Sequence, residues 1–122
     1  MNNEVSKGDT ISYTNAGSAI SAGDVVITGH TIGIAITDIA NGETGTLAIR
    51  GRFTVPKVSA AVFLAGEKLI YDVSVGKFDD SAATPAAGDI TGGAIAAVAG
   101  ANGESTCEVI LTPGNADKNA VV

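Results

Sequence analysis

The chain has 122 residues, which suits a single domain, since domains typically contain about 100–150 residues. Hydrophobic residues make up 45% of it but aromatic residues only 4%, and Trp is absent, so a core must be built from Ile, Val, Leu and Ala. The formal net charge is −6, and the seven Lys and Arg residues are dispersed. This balance argues against binding to nucleic acid and to anionic membranes, because both require clustered positive charge.

The single Cys excludes an intramolecular disulfide and suits a reducing compartment. Residues 1–20 lack the basic and apolar regions of a signal peptide, and no run of about 18 apolar residues predicts a transmembrane helix. These features predict a protein that is made in the cytoplasm.

The chain begins with a polar segment, residues 1–7 (MNNEVSK), for which we predict an extended or mobile arm. Ile11 and Tyr13 then alternate with polar residues over 9–14, the pattern of a half-buried strand. A short β-branched run over 24–28 predicts a second strand.

The segment 29–37 predicts a third strand, in which small and large side chains alternate. Gly33 and Ala35 share one face, which predicts a closely packed neighbour on that side. The opposite face carries Ile32, Ile34 and Ile36.

The segment 45–56 (GTLAIRGRFTVP) has the clearest strand pattern. Leu47, Ile49, Phe53 and Val55 have one parity, and polar residues and Ala48 have the other. Gly51 on the apolar parity predicts a bend or bulge, and Pro56 ends the strand or marks an edge.

The second half of the chain predicts further short strands separated by Gly-rich turns. Residues 57–67 are compatible with one helical turn or a loop. We predict strands over 67–75 (with Leu69, Tyr71, Val73 and Val75 on one side), over 92–100 and over 105–113, a loop over 76–89, and a tail over 114–122.

The fold class is therefore all-β: a small β-sandwich or barrel of short antiparallel strands with Gly-rich turns and at most one short helix. We divide the chain into an N-terminal arm (1–8), a β-domain (9–113) and a C-terminal tail (114–122).

Glycine precedes an acidic residue six times along the chain. The pairs lie at 8–9, 23–24, 42–43, 66–67, 88–89 and 103–104, each shortly before a predicted strand. Glycine supplies the positive φ of tight turns, and an adjacent acid can cap the turn. A calcium site would need several oxygens from one loop, but these acids lie about 15–25 residues apart. We therefore interpret the pairs as structural turns.

The chain offers little for catalysis. One His (His30) and one Cys (Cys107) are present, and we expect a turn residue and a buried structural thiol rather than a dyad. No Walker A, G-x-S-x-G or G-x-G-x-x-G pattern occurs, and a zinc site would need more His and Cys. We expect no enzyme activity, no cofactor and no bound metal.

Arg50 and Arg52 form the one local positive feature. The structural interpretation pairs them with acids of a neighbouring strand. The functional interpretation places them in a contact with another protein, since arginine is favoured at interfaces.

The order of these segments resembles the small capsid cement, or decoration, proteins of tailed bacteriophages. The resemblance spans about residues 5–113 and is carried by VSAGDVVITG, TIGIAITDIANGETGTLAIRGRFTVPK, LAGEKLIYDVSVGKF and GGAIAAVAGANGESTCEVILTP. It implies a β-rich protein that binds the outside of an icosahedral capsid as a small oligomer and clamps neighbouring major capsid proteins. Some members of that family carry a recombinase label, which does not suit a chain without a nucleotide-binding loop.

Our leading hypothesis is a structural virion protein, made in the host cytoplasm and bound to the capsid exterior. By analogy we favour a homotrimer, with a dimer as the other possibility. The alternative is a small β-barrel module that binds carbohydrate or another ligand, for which the five aromatic residues form a poor platform. The candidate interface residues are Met1, Asn2, Asn3, Glu4, Val5, Ser6 and Lys7, which would pair as a strand with a neighbour, together with Arg50 and Arg52.

Overall fold

The computed structural model describes residues 8–118, which form ten β-strands and no helix. No helix in this part of the chain is therefore long and apolar enough to cross a membrane. The strands are β1 (Thr10–Thr14), β2 (Val25–Thr28), β3 (Thr31–Ala35), β4 (Thr44–Ala48), β5 (Arg52–Pro56), β6 (Lys68–Asp72), β7 (Lys77–Asp79), β8 (Ile90–Ala96), β9 (Thr106–Leu111) and β10 (Asp117–Lys118).

The strands form two antiparallel sheets. The four-stranded sheet has the order β1-β4-β3-β2, and the larger sheet has the order β5-β9-β8-β6-β7, with β10 paired to β8. The larger sheet curls until its first and last strands meet in a parallel bridge between Lys57 and Phe78, where the Val58 N–H donates to the Phe78 carbonyl at 2.8 Å. The all-β class is confirmed, with a small sheet packed on a barrel-like one.

The same four-stranded topology occurs twice along the chain. We call residues 10–48 unit 1 and residues 52–111 unit 2. The order β1-β4-β3-β2 of unit 1 matches β5-β9-β8-β6 of unit 2, and all pairs are antiparallel. Unit 2 carries an insertion between β6 and β8, which contains β7 and a loop.

The two units also agree in their backbone hydrogen bonds. In unit 1, Gly23 donates to the Ala35 carbonyl at 2.8 Å and Ala35 donates to Asp24 at 3.0 Å. In unit 2, Gly66 donates to the Ala96 carbonyl and Ala96 to Glu67, at 2.7 and 2.9 Å. In each unit, a positive-φ glycine and the acidic residue that follows it lie opposite a single alanine. This is the geometry of a β-bulge. The isolated antiparallel bridges correspond as well: Ile20–Ile39 in unit 1 and Phe63–Gly100 in unit 2.

Both faces of the four-stranded sheet contribute to a core, the second face only through β2 and β3. One face forms a small core of Val26, Ala35, Ile39 and Leu47, with Ile11, Tyr13 and Ile20 packed against it. A Cβ on Gly33 would lie 2.9 Å from Leu47 Cβ, so the close packing predicted on the Gly33 and Ala35 face is confirmed. The other face joins the larger core of the barrel through Ile32 and Ile34.

The single strand predicted over 45–56 is wrong. β4 ends at Ala48, and β5 begins at Arg52 in the other sheet. Gly51 has φ +122, a conformation that favours glycine and allows the chain to pass from one sheet to the other. The apolar alternation continues across this crossover, so it does not reveal the break.

The strand predicted over 67–75 is also too long. β6 ends at Asp72, whose carboxylate accepts hydrogen bonds from the N–H and the hydroxyl of Ser74. Val73 and Val75 therefore lie in a turn and are 39% and 55% exposed, not on the buried side of a strand. Residues 57–67 form a loop without a helical turn, and β7 lies within the predicted loop 76–89. β10 lies within the segment predicted as a tail.

Candidate functional site

Five of the six Gly–acid pairs share one turn geometry, over residues 21–24, 40–43, 64–67, 86–89 and 101–104. The N–H of the acidic residue donates to the carbonyl three residues earlier, and its carboxylate accepts from the N–H of that same earlier residue. The glycine at the third position has φ between +85 and +95, as a type II turn requires. These five acids are therefore turn caps. Four of the turns are followed directly by a strand, and one residue separates the turn 101–104 from β9.

The sixth pair differs. Gly8 also has positive φ, but the Asp9 carboxylate lies 3.8 Å from Arg50 Nε. Within residues 8–118, no three His, Cys, Asp or Glu side chains lie close enough together to hold a metal ion.

Two of the capping acids also fix the insertion of unit 2. Glu67 accepts from the Ser81 N–H at 3.0 Å and from the Ser81 hydroxyl at 2.7 Å, and these bonds, with that from the Leu64 N–H, lower the pKa of its carboxyl. Asp89 is buried and accepts from the Val73 N–H at 3.1 Å. The loop between β7 and β8 is thereby tied to β6 at both ends of that strand.

His30 and Cys107 occupy different environments. His30 lies in the exposed two-residue turn between β2 and β3, where Gly29 takes φ +59, and its Nδ1 accepts from the Lys118 N–H at 3.2 Å. Cys107 is buried on β9, and burial raises the pKa of its thiol to about 11. The prediction of a turn histidine and a buried thiol is confirmed.

Arg50 and Arg52 both have acidic partners within the chain. Arg52 contacts Glu108 on the neighbouring strand β9, with 2.9 Å between Nη2 and Oε1. Arg50 Nε donates to the Gly8 carbonyl at 3.3 Å and lies 3.8 Å from the Asp9 carboxylate. The structural interpretation, pairing with an acid of a neighbouring strand, holds for Arg52; the partner of Arg50, Asp9, lies just before β1. Their side chains remain 60% and 53% exposed, and their role in an interface stays a prediction. The predicted arm, Met1 to Lys7, lies outside the described residues.

The sequence did not lead us to expect that Lys57 is buried. Its side chain is 1% exposed, and its ammonium donates to the carbonyls of Val58, Ser59 and Glu104 at 2.9, 3.1 and 3.4 Å. The ammonium also lies 6.0 Å from the centre of the Phe63 ring. The sequence signal that could have predicted this burial is alternation, because Lys57 continues the inward-facing series of Phe53 and Val55 on β5.

An exposed apolar patch lies beside the Phe63–Gly100 bridge, and it also escaped the sequence interpretation. The Phe63 ring points inward over Gly100, where a Cβ would come within 2.5 Å of it. By strand alternation, the neighbours of these two residues point outward. We call these neighbours and Val98 the Leu64 patch: Val62 (57% exposed), Leu64 (74%), Val98 (41%), Ala99 and Ala101.

A binding platform of aromatic rings is not present on the described surface. All five aromatic residues fall within residues 8–118; Phe63, Tyr71 and Phe78 are buried, and Tyr13 and Phe53 are half-buried. A groove of about 370 Å³ between β6, β8 and the loop 81–85 has Lys68 as its one ionisable lining residue and no aromatic ring. These observations count against the carbohydrate-binding alternative.

The geometry defines an all-β domain in which acids cap the turns and a group of exposed apolar side chains surrounds the Phe63–Gly100 bridge. No curated protein matches the chain. A family model described as "phage cement protein" matches residues 5–111, and the chain belongs to that family. Membership indicates a structural protein of a phage that is associated with the capsid.

Proposed function

We propose that this protein binds the outside of an icosahedral phage capsid and cements neighbouring major capsid proteins. The observation that carries the proposal is the family match over residues 5–111. The Leu64 patch supports it, because an apolar surface rimmed by polar residues is typical of a protein contact. The net charge of −6 favours a partner with basic surface residues.

The oligomer and the arm belong to the same proposal. We favour a homotrimer, in which residues 1–7 of each copy add strand pairing to a neighbour and Arg50 and Arg52 contribute to the contact. β1 begins at Thr10 and is an edge strand of its sheet, so residues 1–7 lead directly to an edge at which pairing can occur. Many modest contacts of this kind, repeated over a shell, combine into strong binding.

The test compares empty expanded capsids of the encoding phage with and without the protein. We expect binding by co-sedimentation and a higher temperature of capsid disruption in its presence. Deletion of residues 1–7 should weaken binding while the thermal unfolding of the free domain stays unchanged. If capsids neither bind the protein nor gain stability, the proposed function is wrong; if only the deletion has no effect, the arm has no role in binding.

A further inference from the structure

The duplicated architecture provides an internal comparison for the Leu64 patch. In unit 2 the patch surrounds the Phe63–Gly100 bridge, and in unit 1 the matching bridge is Ile20–Ile39. The strands that follow correspond as well, since Ile36 donates to the Thr46 carbonyl and Ala97 donates to the Glu108 carbonyl. Each patch residue therefore has a defined counterpart in unit 1.

Four of the five counterparts are smaller or polar, and the fifth is the same residue. In the order patch residue and counterpart, the pairs are Val62 and Ala19, Leu64 and Ser21, Val98 and Thr37, Ala99 and Asp38, and Ala101 and Ala40. In unit 1 the Asp38 carboxylate accepts from the Ala22 N–H at 2.8 Å, so a polar side chain here serves the fold. The fold is thus compatible with polar residues at these positions, and the valines and leucine of unit 2 are not needed to build it.

The charge around the patch limits what can cover it. The two segments that form it, 58–67 and 97–105, contain two ionisable residues, Glu67 and Glu104. Both carboxylates are fixed by turn N–H groups, at 3.2 Å from Leu64 N and 2.6 Å from Ala101 N. The adjoining Lys57 ammonium is buried and bonded to backbone carbonyls. The patch is therefore apolar with an acidic rim.

A second copy of the chain is a poor occupant in a two-fold contact. The two segments would then face the same segments of the partner, which carry two carboxylates and no cation. We propose that the Leu64 patch binds a different protein, whose contact surface is apolar and rimmed by Lys or Arg. This inference rests on the proposed function, under which that surface belongs to the major capsid protein.

The test uses the full chain and empty expanded capsids of the encoding phage. The variant Val62→Ala/Leu64→Ser gives unit 2 the residues of unit 1, so the fold should be retained, as monitored by thermal unfolding. Loss of an apolar side chain from a buried contact should weaken capsid binding at least about tenfold. The matched control is Ile36→Ala, which removes a 50% exposed isoleucine outside the patch and should leave binding unchanged.

A second variant tests the charge of the rim. Glu104→Gln keeps an oxygen that can accept from the Ala101 N–H but removes the negative charge. We expect weaker binding and a smaller dependence of affinity on NaCl concentration than for the wild type.

The outcomes separate the two proposals. If the wild type does not bind capsids, the proposed function fails. If the wild type binds and the Val62→Ala/Leu64→Ser variant binds equally well, the assignment of the patch is wrong while the function stands. If this variant changes the mass of the free oligomer by light scattering but not the capsid affinity, the patch is a contact between copies, and the inference is overturned.

Discussion

Asn15 and Lys57 occupy the same position in the two units. Each directly follows the first strand of its unit, and their N–H groups donate to the Glu43 and Ser105 carbonyls, both at 2.9 Å. Both side chains are buried and donate to backbone carbonyls: Asn15 Nδ2 to Ser18 and Ile39, and Lys57 Nζ to Val58, Ser59 and Glu104. The amide of Asn15 and the ammonium of Lys57 thus have the same role: each donates hydrogen bonds to loop carbonyls at the end of a strand.

Replacement of the buried lysine should destabilise the domain. Lys57→Met keeps much of the side-chain volume but leaves buried carbonyls without a donor, and we expect a loss of about 2–4 kcal/mol in the free energy of unfolding. Urea denaturation monitored by circular dichroism measures it. Lys77→Met, at an exposed position of β7, is the control and should cost under about 0.5 kcal/mol. Equal effects of the two substitutions would contradict the role assigned to Lys57.

Replacement of a turn glycine by alanine should lower the stability of the domain, because the backbone conformation at that position disfavours any side chain. Gly66 has φ +85, and a Cβ added there would meet no atom within 4 Å, so Gly66→Ala should cost about 1–2 kcal/mol through the backbone alone. Gly17 does not have positive φ, and a Cβ there would make one ordinary contact, 3.8 Å from Asn15 Oδ1, so Gly17→Ala is the control. Unfolding free energies that agree for the two variants would show that the turn does not require the left-handed conformation.

The thiol of Cys107 should be unreactive in the folded protein. Its pKa is raised from 9.0 to about 11, mainly by burial, so at pH 8 it is protonated, and a disulfide reagent should label it only after unfolding in urea. Because the unfolded state loses this proton first, the thiol's contribution to stability is complete below pH 9 and is lost as the pH rises to about 11.

Cys107→Ala separates this effect from other groups that titrate in base, such as Tyr71, whose pKa is also raised by burial. The variant should show a shallower decline of stability above pH 9 than the wild type. Rapid labelling of the folded wild type at pH 8 would be the contrary result.

Much of the fold could be predicted from local patterns. Alternation identified β1 and β9, and the small residues Gly33 and Ala35 predicted a close neighbour, which is Leu47. The Gly–acid pairs predicted turns, because glycine conformation and carboxylate capping act within four residues.

Features that depend on distant contacts could not be predicted in this way. Gly51 indicated a bend or bulge, but the same parity runs through it, so the sequence pattern did not show that β4 and β5 lie in different sheets. Parity places Lys57 on the inward-facing side, but one of the carbonyls that accept from its ammonium, that of Glu104, is far away in sequence. The duplication was not recognised from the sequence because the identical stretch shared by the two units is short. It is the tetrapeptide ANGE, at 40–43 and again at 101–104.

The contacts of His30 fix the position of β10. The Lys118 N–H donates to His30 Nδ1, and Asp117 lies 3.6 Å from the same atom, so β10 is bonded to the turn between β2 and β3 as well as to β8. A polypeptide fused directly after Lys118 would therefore start from an anchored strand. This position is a defined attachment point for displaying a cargo.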